Sequence, residues 1–304
     1  MILVEPICES GGKKKENGTL INEDCLMGFS AYKENKKYNF TILMDGATGL
    51  GEYFEIVPNY TSAEWYVKFM SETMKRLLIK SPEASLEEVV EESILKATKI
   101  VEDYETNNNV KLEEYQKPSA GLELLRTDGI KTEIFSIGDT QGLVAYKNGE
   151  VKKIYNPNEI ALQNLDKGVL KRMVEISKER NCDVVDTRKE PEIDKMLKTN
   201  RNKKNTYMEG SYWTCGTTPG TAKNGSYASF SNKEIDGILL ATDGFDFSIL
   251  DLNEKQVYDL VKEKGSSKVS EMIREKQEED SKCNKFPRFK KSDDLTVIYF
   301  DYRK

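Results

Sequence analysis

The strand-like segments of this chain are joined by tight turns rather than by helices. Three such turns occur, at residues 33–37, 128–129 and 148–149. The second and third are Asp-Gly and Asn-Gly pairs, which tolerate the positive φ angles of hairpin turns. Antiparallel strands can be joined by so few residues, whereas parallel strands need a long crossover. The sequence therefore predicts antiparallel sheets and disfavours a doubly wound parallel fold.

The order of the predicted elements indicates an α+β sandwich. Runs rich in β-branched and aromatic residues predict strands at 27–32, 38–44, 120–126, 131–138, 142–146, 151–155, 235–241 and 295–302. Helices are predicted at 61–78, 85–104, 166–180, 191–197, 254–264 and 267–280, and a polar surface loop at 198–210. Thr61 and Ser85 open the first two helices with capping-box spacing. Blocks of strands thus alternate with helices, as expected for antiparallel sheets covered by helices.

Histidine is absent from the chain, which removes several reaction mechanisms. Ser-His-Asp triads, Cys-His dyads and His-liganded zinc sites are all excluded. Proton transfer near neutral pH must then depend on carboxylates, Lys, Tyr, Cys or a metal-activated water. The formal net charge of −6 argues against nucleic acid as the main partner.

The cysteines and the apolar segments bear on location. Five cysteines are widely spaced and form no CxxC pair, so we expect reduced thiols rather than disulfides or a zinc site. No stretch approaches the ~20 apolar residues of a membrane span, and the first residues lack the pattern of a signal peptide. We therefore expect a cytoplasmic protein without a membrane partner.

Acidic residues stand at the ends of several predicted strands. Asp45 and Asp243 directly follow apolar strands. Asp139 ends another strand, and Asp293 precedes the last one. A carboxylate at the rim of a core costs free energy unless it is paired or bound to a metal, and Mg²⁺ and Mn²⁺ prefer oxygen ligands. The chain has 52 acidic residues, so a turn or capping role is the simpler explanation for any single one, and the pattern alone names no reaction.

Five acidic blocks occur in an order that is typical of one enzyme family. They are Asn22-Glu-Asp24, Leu43-Met-Asp-Gly-Ala-Thr-Gly49, Ser136-Ile-Gly-Asp-Thr140, Leu240-Ala-Thr-Asp-Gly-Phe245 and Ser292-Asp-Asp-Leu-Thr-Val-Ile298. Together they resemble the metal-dependent (PPM, or type 2C) serine/threonine protein phosphatases over nearly the whole chain. The segment 212–219 is more similar to a divergent bacterial subgroup than to the eukaryotic enzymes.

The resemblance implies a fold and a reaction. Residues 1–304 would form a single phosphatase-like domain, with two packed antiparallel sheets flanked by pairs of antiparallel helices. A flap would lie beside the site at about 156–212, although a solvated pair of surface helices is an equally good reading of this charged region. The implied reaction is hydrolysis of phosphoserine or phosphothreonine in proteins, by in-line attack of a water activated between two metal ions.

The resemblance also implies a role for each residue of the acidic blocks. Asp45 would bridge two Mg²⁺ or Mn²⁺ ions, and one of these ions would also be bound by Glu23 and the Gly46 carbonyl. Asp24 would orient metal-bound water or the phosphate, which makes Asp45 and Asp24 the residues implied to be catalytic. Their roles follow from the position of each residue in its block.

The remaining ligands belong to the second ion. Asp243 and Asp293 would hold it, and Asp139 would pair with Asp243 at a third, weaker metal position. The implied partners are a phosphorylated protein substrate and a cognate Ser/Thr kinase, as in bacterial signalling.

The chain departs from the family pattern at the phosphate side of the site. Thr19 stands where many members carry a phosphate-binding arginine. A lysine from 13–15 could substitute, but solvated charges on a loop are the simpler explanation of these lysines. Ala47 replaces a histidine that protonates the leaving group in some members, so water would be the acid here. Gln141 and Asp294 are further departures, from Arg and Asn respectively.

These departures leave two other functions open. One is a catalytically weak or silent module of the same fold that binds a regulator. The other is metal-dependent hydrolysis of a different phosphoester or of a nucleotidyl-protein bond. Retention of all the metal carboxylates favours the phosphatase, whereas the missing arginine favours the silent module.

Overall fold

Ten strands and six α-helices make up the part of the chain that the structure, a computed structural model, describes: residues 3–15, 18–51 and 54–303. The other residues of the predicted domain lie outside this part. The strands are β1 Leu3–Glu9, β2 Asp24–Lys33, β3 Lys36–Ala47, β4 Ser119–Thr127, β5 Lys131–Ile137, β6 Gln141–Tyr146, β7 Val151–Lys153, β8 Ser226–Ser231, β9 Ile235–Ala241 and β10 Leu295–Asp301. The helices are α1 Ser62–Lys80, α2 Leu86–Asn108, α3 Pro157–Arg180, α4 Pro191–Arg201, α5 Glu254–Lys264 and α6 Ser266–Glu279.

The strands form two five-stranded sheets. The first sheet has the order β1-β10-β9-β6-β7 and the second has the order β2-β3-β4-β5-β8. Every pairing within the two sheets is antiparallel, as the short turns predict. Gly129 and Gly149 have φ of +87° and +86° in the two predicted Gly-containing hairpins. The predicted α+β class with two antiparallel sheets is therefore confirmed.

Each sheet is buried on both faces, because helices cover the face that does not meet the other sheet. In β3, Ile42 and Met44 pack against α1 and α2, whereas Leu43 points to the first sheet. This alternation follows from the two-residue period of a strand. In the first sheet, Leu239 packs against α5 and α6, and Leu240 packs between the sheets. The result is a layered arrangement of helices, sheet, sheet and helices.

The predicted helix starts are confirmed for α1 and α2. The Thr61 side chain accepts from the backbone N–H of Glu64 at 3.0 Å, and Ser85 accepts from that of Glu88 at 3.5 Å. The Glu64 carboxylate binds Lys15 and Lys68. Each cap therefore satisfies an N–H group that the first turn of a helix leaves unpaired.

Two strands and part of a helix escaped the sequence prediction. The edge strand β1 contains a proline, and the edge strand β8 is rich in serine, so neither has a strong strand signal. α3 begins at Pro157 rather than at 166, with Asn156 as its cap. A capping Asn followed by a proline is a signal for the start of a helix, so the sequence does carry information on this boundary.

The predicted surface loop at 198–210 is wrong in two respects. Its first residues belong to the last turn of α4, which ends at Arg201. Lys204, farther along, is only 1% exposed, and its Nζ donates to the Lys117 carbonyl at 3.1 Å. The charge of Lys204 therefore predicted an exposed side chain, and that prediction was wrong. Neighbouring residues in the fold supply the partners that a buried amine needs.

α3 and α4 have a small core of their own. Val169, Met173, Ile176, Val184 and Ile193 pack with Cys283 and with Phe289. The two helices thus rest on the segment that precedes β10. Within the described residues, none of the helices combines the length and apolarity that a bilayer-spanning segment needs.

Candidate metal centre

Four strand ends meet at one end of the sandwich. β2 and β3 are antiparallel neighbours, so the start of β2 lies against the end of β3, with Asp24 opposite Asp45. β9 and β10 are also antiparallel neighbours, which brings Asp243 after β9 close to Asp293 before β10. The backbone N–H of Asp243 donates to Oδ2 of Asp45 at 3.2 Å, although the two residues are 198 positions apart. Both sheets therefore contribute to the same site.

A cavity of about 540 Å³ opens where these strand ends meet. All six residues predicted as metal ligands line it: Glu23, Asp45, Gly46, Asp139, Asp243 and Asp293. Asp24, by contrast, is not among the described residues that line the cavity. It is 7% exposed, and its carboxylate accepts a hydrogen bond from the Thr242 hydroxyl at 2.9 Å. Its predicted contact with water or phosphate stays a prediction.

Glycines allow the backbone segments around the cavity to come close together. A Cβ on Gly46 would lie 2.3 Å from the carbonyl oxygen of Glu23, which accepts the Gly46 N–H at 3.1 Å. Gly138 has φ of +93°, and a Cβ there would lie 2.5 Å from the Cα of Gly121. Larger residues at these positions would push Glu23 or Asp139 away from the cavity.

The carboxylates of the cavity raise one another's pKa. Burial raises the pKa of Asp45 well above its usual range, and the charges of Asp243, Asp24 and Asp139 raise it further. Burial also raises the pKa of Asp243, and the charges of Asp293 and Asp139 raise it further. The Asp243 side chain faces the open cavity. The cluster is an excess of negative charge that a cation would relieve.

Lysines supply part of the missing positive charge. Lys290 contacts Asp293, and Lys13 lies 3.1 Å from an Oε1 atom of Glu23. Burial lowers the pKa of Lys290, but Asp293 and Asp243 outweigh that effect and raise it overall. The ammonium groups therefore stand where positive charge is favoured.

The donor set fits a hard divalent cation. All the predicted side-chain ligands are carboxylates, which Mg²⁺ and Mn²⁺ prefer, and among the described residues neither histidine nor cysteine lines the cavity to favour a softer metal. Across the described ranges, no three Asp, Glu, Cys or His side chains already converge in a metal-coordinating group.

Glu23 is held by three donors. Its Oε1 accepts from the Thr61 hydroxyl at 2.7 Å, from Lys13 at 3.1 Å and from the Thr48 hydroxyl. Thr61 is also the cap of α1, so the start of that helix fixes the position of the carboxylate. This connection gives the capping signal in the sequence a second role at the site.

Asp294 anchors the segment that leads to Glu23. Its two carboxylate oxygens accept from the backbone N–H groups of Gly11 and Glu23, each at 2.7 Å. An Asn would offer only one acceptor oxygen, so the departure from the family pattern at this position has a structural reason.

The phosphate side of the site differs from the family pattern in the way the sequence indicates. Thr19 is an exposed residue outside the cavity lining, whereas Lys13 and Ala47 line the cavity. Lys15, another lysine of the 13–15 run, pairs with Glu64 at 2.8 Å.

Besides Lys290, three charged residues of the cavity were missed by the sequence analysis. They are Asp166 of α3, Arg188 of the turn between α3 and α4, and Arg201 at the end of α4. Burial and the Asp139 charge raise the pKa of Asp166 to about 7. Helical periodicity shows that a segment is helical, but only the packing of α3 and α4 reveals that these side chains face the carboxylates.

A larger cavity of about 1000 Å³ lies between the sheets, toward the opposite ends of β2 and β10. Its lining is largely apolar and includes Phe29, Phe40, Leu125 and Phe300, with no carboxylate among the residues that line it. It lacks the groups that hydrolysis requires, so the smaller acidic cavity is the candidate active site.

The fold and this cavity together define a class of protein. In this class, two antiparallel sheets are sandwiched between helices, and carboxylates from both sheets surround one cavity at the end of the sandwich. Residues 12–281 match the protein phosphatase 2C family, and the chain belongs to that family. No curated protein sequence matches the chain significantly.

Solved structures of bacterial phosphatases have the same fold. The serine/threonine phosphatase Stp1 from Staphylococcus aureus is 12% identical, with coverage of 99% of this chain and 95% of that chain and a TM-score of 0.55. The phosphatase PstP/Ppp from Mycobacterium tuberculosis is 13% identical, with coverage of 99% and 98% and a TM-score of 0.53. A bacterial serine phosphatase is 12% identical, with coverage of 100% and 98% and a TM-score of 0.57. At such low identity, the likeness extends to the fold alone.

Proposed function

We propose that this chain is a metal-dependent phosphatase that hydrolyses phosphoserine or phosphothreonine in proteins. The observation that carries the proposal is the common cavity of Glu23, Asp45, Gly46, Asp139, Asp243 and Asp293. Membership of the protein phosphatase 2C family supports the reaction class. The names of the similar bacterial structures support serine and threonine as the phosphorylated residues.

The residues that would hold the metal are the six cavity residues just named. When bound, Mg²⁺ or Mn²⁺ ions supply Lewis acidity that neutralises phosphate charge and lowers the pKa of water. The carboxylates belong to strands of both sheets or to residues next to them, so both sheets hold the cavity in place. Asp24 would act through its contact with Thr242, next to Asp243, and in this proposal it orients the site.

The chain's own groups perform three further tasks. The donors around Glu23 hold its carboxylate toward the cavity. Asp294 fixes the backbone on either side of Lys13. Ala47 leaves the cavity without a side-chain acid at that position, so solvent water protonates the leaving alkoxide.

The activity test compares the wild-type chain with Asp45→Asn. With millimolar Mn²⁺, we expect the wild type to hydrolyse p-nitrophenyl phosphate and a phosphothreonine peptide. Asp45→Asn, which removes one charge at nearly constant volume, should lose at least about 100-fold in kcat, since electrostatic stabilisation of this kind is a large part of such catalysis. Equal rates for the two proteins would contradict the proposal.

A silent binding module is the second candidate, because Thr19 lies outside the cavity and the family's arginine is absent there. Calorimetric titration with Mn²⁺ separates the candidates. If the chain is a phosphatase, Mn²⁺ should bind at a saturable site that Asp243→Asn weakens. A chain that binds no Mn²⁺ would instead favour the silent binding module.

Three further elements belong to this proposal. α3 and α4 would act as the flap at about 156–212, since Asp166, Arg188 and Arg201 from this region line the cavity. The substrate would be a phosphorylated protein made by a cognate Ser/Thr kinase. A cytoplasmic location is consistent with five unpaired cysteines.

A further inference from the structure

The four arginines of the 156–212 region fall into two pairs with different surroundings. Arg172 hydrogen-bonds to Glu192 at 2.8 Å and to Glu179 at 3.0 Å, and Arg180 bonds to Glu190 at 2.6 Å. Arg188 and Arg201 instead line the acidic cavity, and neither has a hydrogen bond to a carboxylate within the described residues. The second pair is therefore free to meet an anion from solution.

Arg188 is a half-buried guanidinium that lacks a partner. In the part of the chain that the structure describes, it has no hydrogen bond and no ion pair. The carboxylate whose charge acts on it is Asp194, and the Oδ2 of Asp194 already binds Lys198 at 2.7 Å. Burial lowers the pKa of Arg188, and the charge of Arg201 lowers it further. A buried, unpaired charge beside a like charge is costly unless something else satisfies it.

Among the described residues, one hydrogen bond anchors Arg201 at the cavity wall. Its Nη1 donates to the Thr48 carbonyl at 2.8 Å, and Thr48 itself binds Glu23. Burial raises the pKa of Asp139 and of Asp166, and the positive charge of Arg201 offsets part of that rise. The bond to Thr48 uses one of the five N–H donors of the guanidinium, so the others remain available to a ligand.

We propose that Arg188 and Arg201 together form the phosphate-binding subsite of this chain, in place of the arginine that is missing at Thr19. This inference rests on the proposed phosphatase function. Two guanidinium groups that line the same cavity and act on each other electrostatically match a phosphomonoester dianion, because each can donate two parallel hydrogen bonds to phosphate oxygens. The subsite belongs to the helical region beside the cavity rather than to the N-terminal segment.

The subsite also gives the two sides of the cavity different roles in binding. The carboxylates collect cations on the strand ends, and the two arginines bring positive charge from α4 and the turn before it. A phosphomonoester between them would meet positive charge on both sides. A purely structural role for Arg201, as a counter-charge to Asp139 and Asp166, is the competing explanation, so the test needs Arg188 as well.

The experiment compares Arg188→Ala, Arg188→Lys and Arg201→Lys with the control Arg180→Ala. Arg180 is exposed, and among the described residues it pairs with Glu190, away from the cavity lining. With Mn²⁺ and a phosphothreonine peptide, each cavity variant should raise KM about 10- to 100-fold, since hydrogen bonds to charged groups are of that size. Arg188→Lys should recover part of the loss, whereas Arg180→Ala should match the wild type.

A binding measurement is independent of turnover. Inorganic phosphate should raise the melting temperature of the Mn²⁺-treated wild type and of Arg180→Ala, but not of Arg188→Ala. Calorimetric Mn²⁺ affinity should be the same in Arg188→Ala and the wild type. An inactive wild type that still binds phosphate through Arg188 would contradict the phosphatase proposal but not the phosphate-binding subsite. An active wild type whose KM and phosphate affinity are unchanged in Arg188→Ala would overturn the subsite.

Discussion

At the scale of single residues, some buried carboxyl groups can be recognised from the sequence and others cannot. Asp45 and Asp243 were identifiable because each directly follows an apolar strand. Glu123, in the middle of β4, gave no such signal, yet it is 1% exposed and accepts hydrogen bonds from Ser136 and Thr140. Only the sheet register places these hydroxyls beside it, because the partners come from β5 and from the turn after it.

Glu123 should make the stability of the fold depend on pH. Burial raises its pKa to about 8, from 4.5 for the exposed group. Between these pH values the folded state keeps the proton and the unfolded state releases it, so stability is present below pH 4.5 and is lost as the pH rises through about 8. The loss contributed by this group is at most about 1.4 kcal/mol per pH unit.

Urea unfolding at pH 5 and pH 7.5 measures the effect in the wild type, in Glu123→Gln and in the exposed control Glu87→Gln. We expect the wild type and the control to lose stability relative to Glu123→Gln as the pH rises. Parallel pH curves for the wild type and Glu123→Gln would contradict the raised pKa.

At the scale of elements, the strongly patterned segments were predicted and the weakly patterned ones were not. β9 and α5 have the predicted bounds, because each is a long apolar or amphipathic run between clear breakers. β1 and β8 are edge strands whose pairing depends on a neighbour distant in sequence. The contribution of α3 and α4 to the cavity was equally invisible, since a single sequence does not specify how a helix docks.

The buried lysine after α4 should hold the adjoining loop in place. Lys204 Nζ joins the loop to the Lys117 carbonyl at 3.1 Å and to Glu114 at 3.7 Å. Lys204→Ala would remove both contacts and leave Glu114 paired with Lys117, at 3.6 Å, but no longer with the loop. We expect amide hydrogen exchange in residues 202–212 to accelerate at least about tenfold, as the loss of roughly 1.4 kcal/mol of local stability implies.

Lys195→Ala is the matched control, because this lysine lies on α4 and is exposed. Its exchange rates in the loop should equal those of the wild type. Equal loop rates in Lys204→Ala would show that apolar packing, rather than the buried amine, holds the segment.

At the scale of the whole molecule, the acidic cavity couples the two sheets. Asp45 belongs to the second sheet, whereas Asp243 and Asp293 adjoin strands of the first. The sequence predicted both the sheets and this set of carboxylates, because the blocks stand at strand ends in a diagnostic order. It did not predict the arginines opposite them, because nothing in the pattern of α3 or α4 marks the side that faces the cavity.

A cation bound between the sheets should stabilise the entire fold. A ligand that binds only the folded state adds about 2.7 kcal/mol when its free concentration is 100 times its Kd. We therefore expect Mn²⁺ to raise the melting temperature of the wild type and of the exposed control Asp103→Asn, but hardly that of Asp243→Asn. Differential scanning calorimetry with Mn²⁺ and with a chelator checks this expectation, and equal shifts in all three proteins would indicate binding elsewhere.

The pairing of β1 with β10 also has a consequence for biosynthesis. β1 has β10 as its neighbour in the sheet, and the two lie at opposite ends of the described chain. A ribosome makes β1 before β10, so β1 has no strand partner in its sheet while the intervening residues emerge. Asp293 and Asp294 emerge just before β10. A nascent chain therefore lacks both the paired β1 strand and the complete set of acidic cavity residues until β10 has been made.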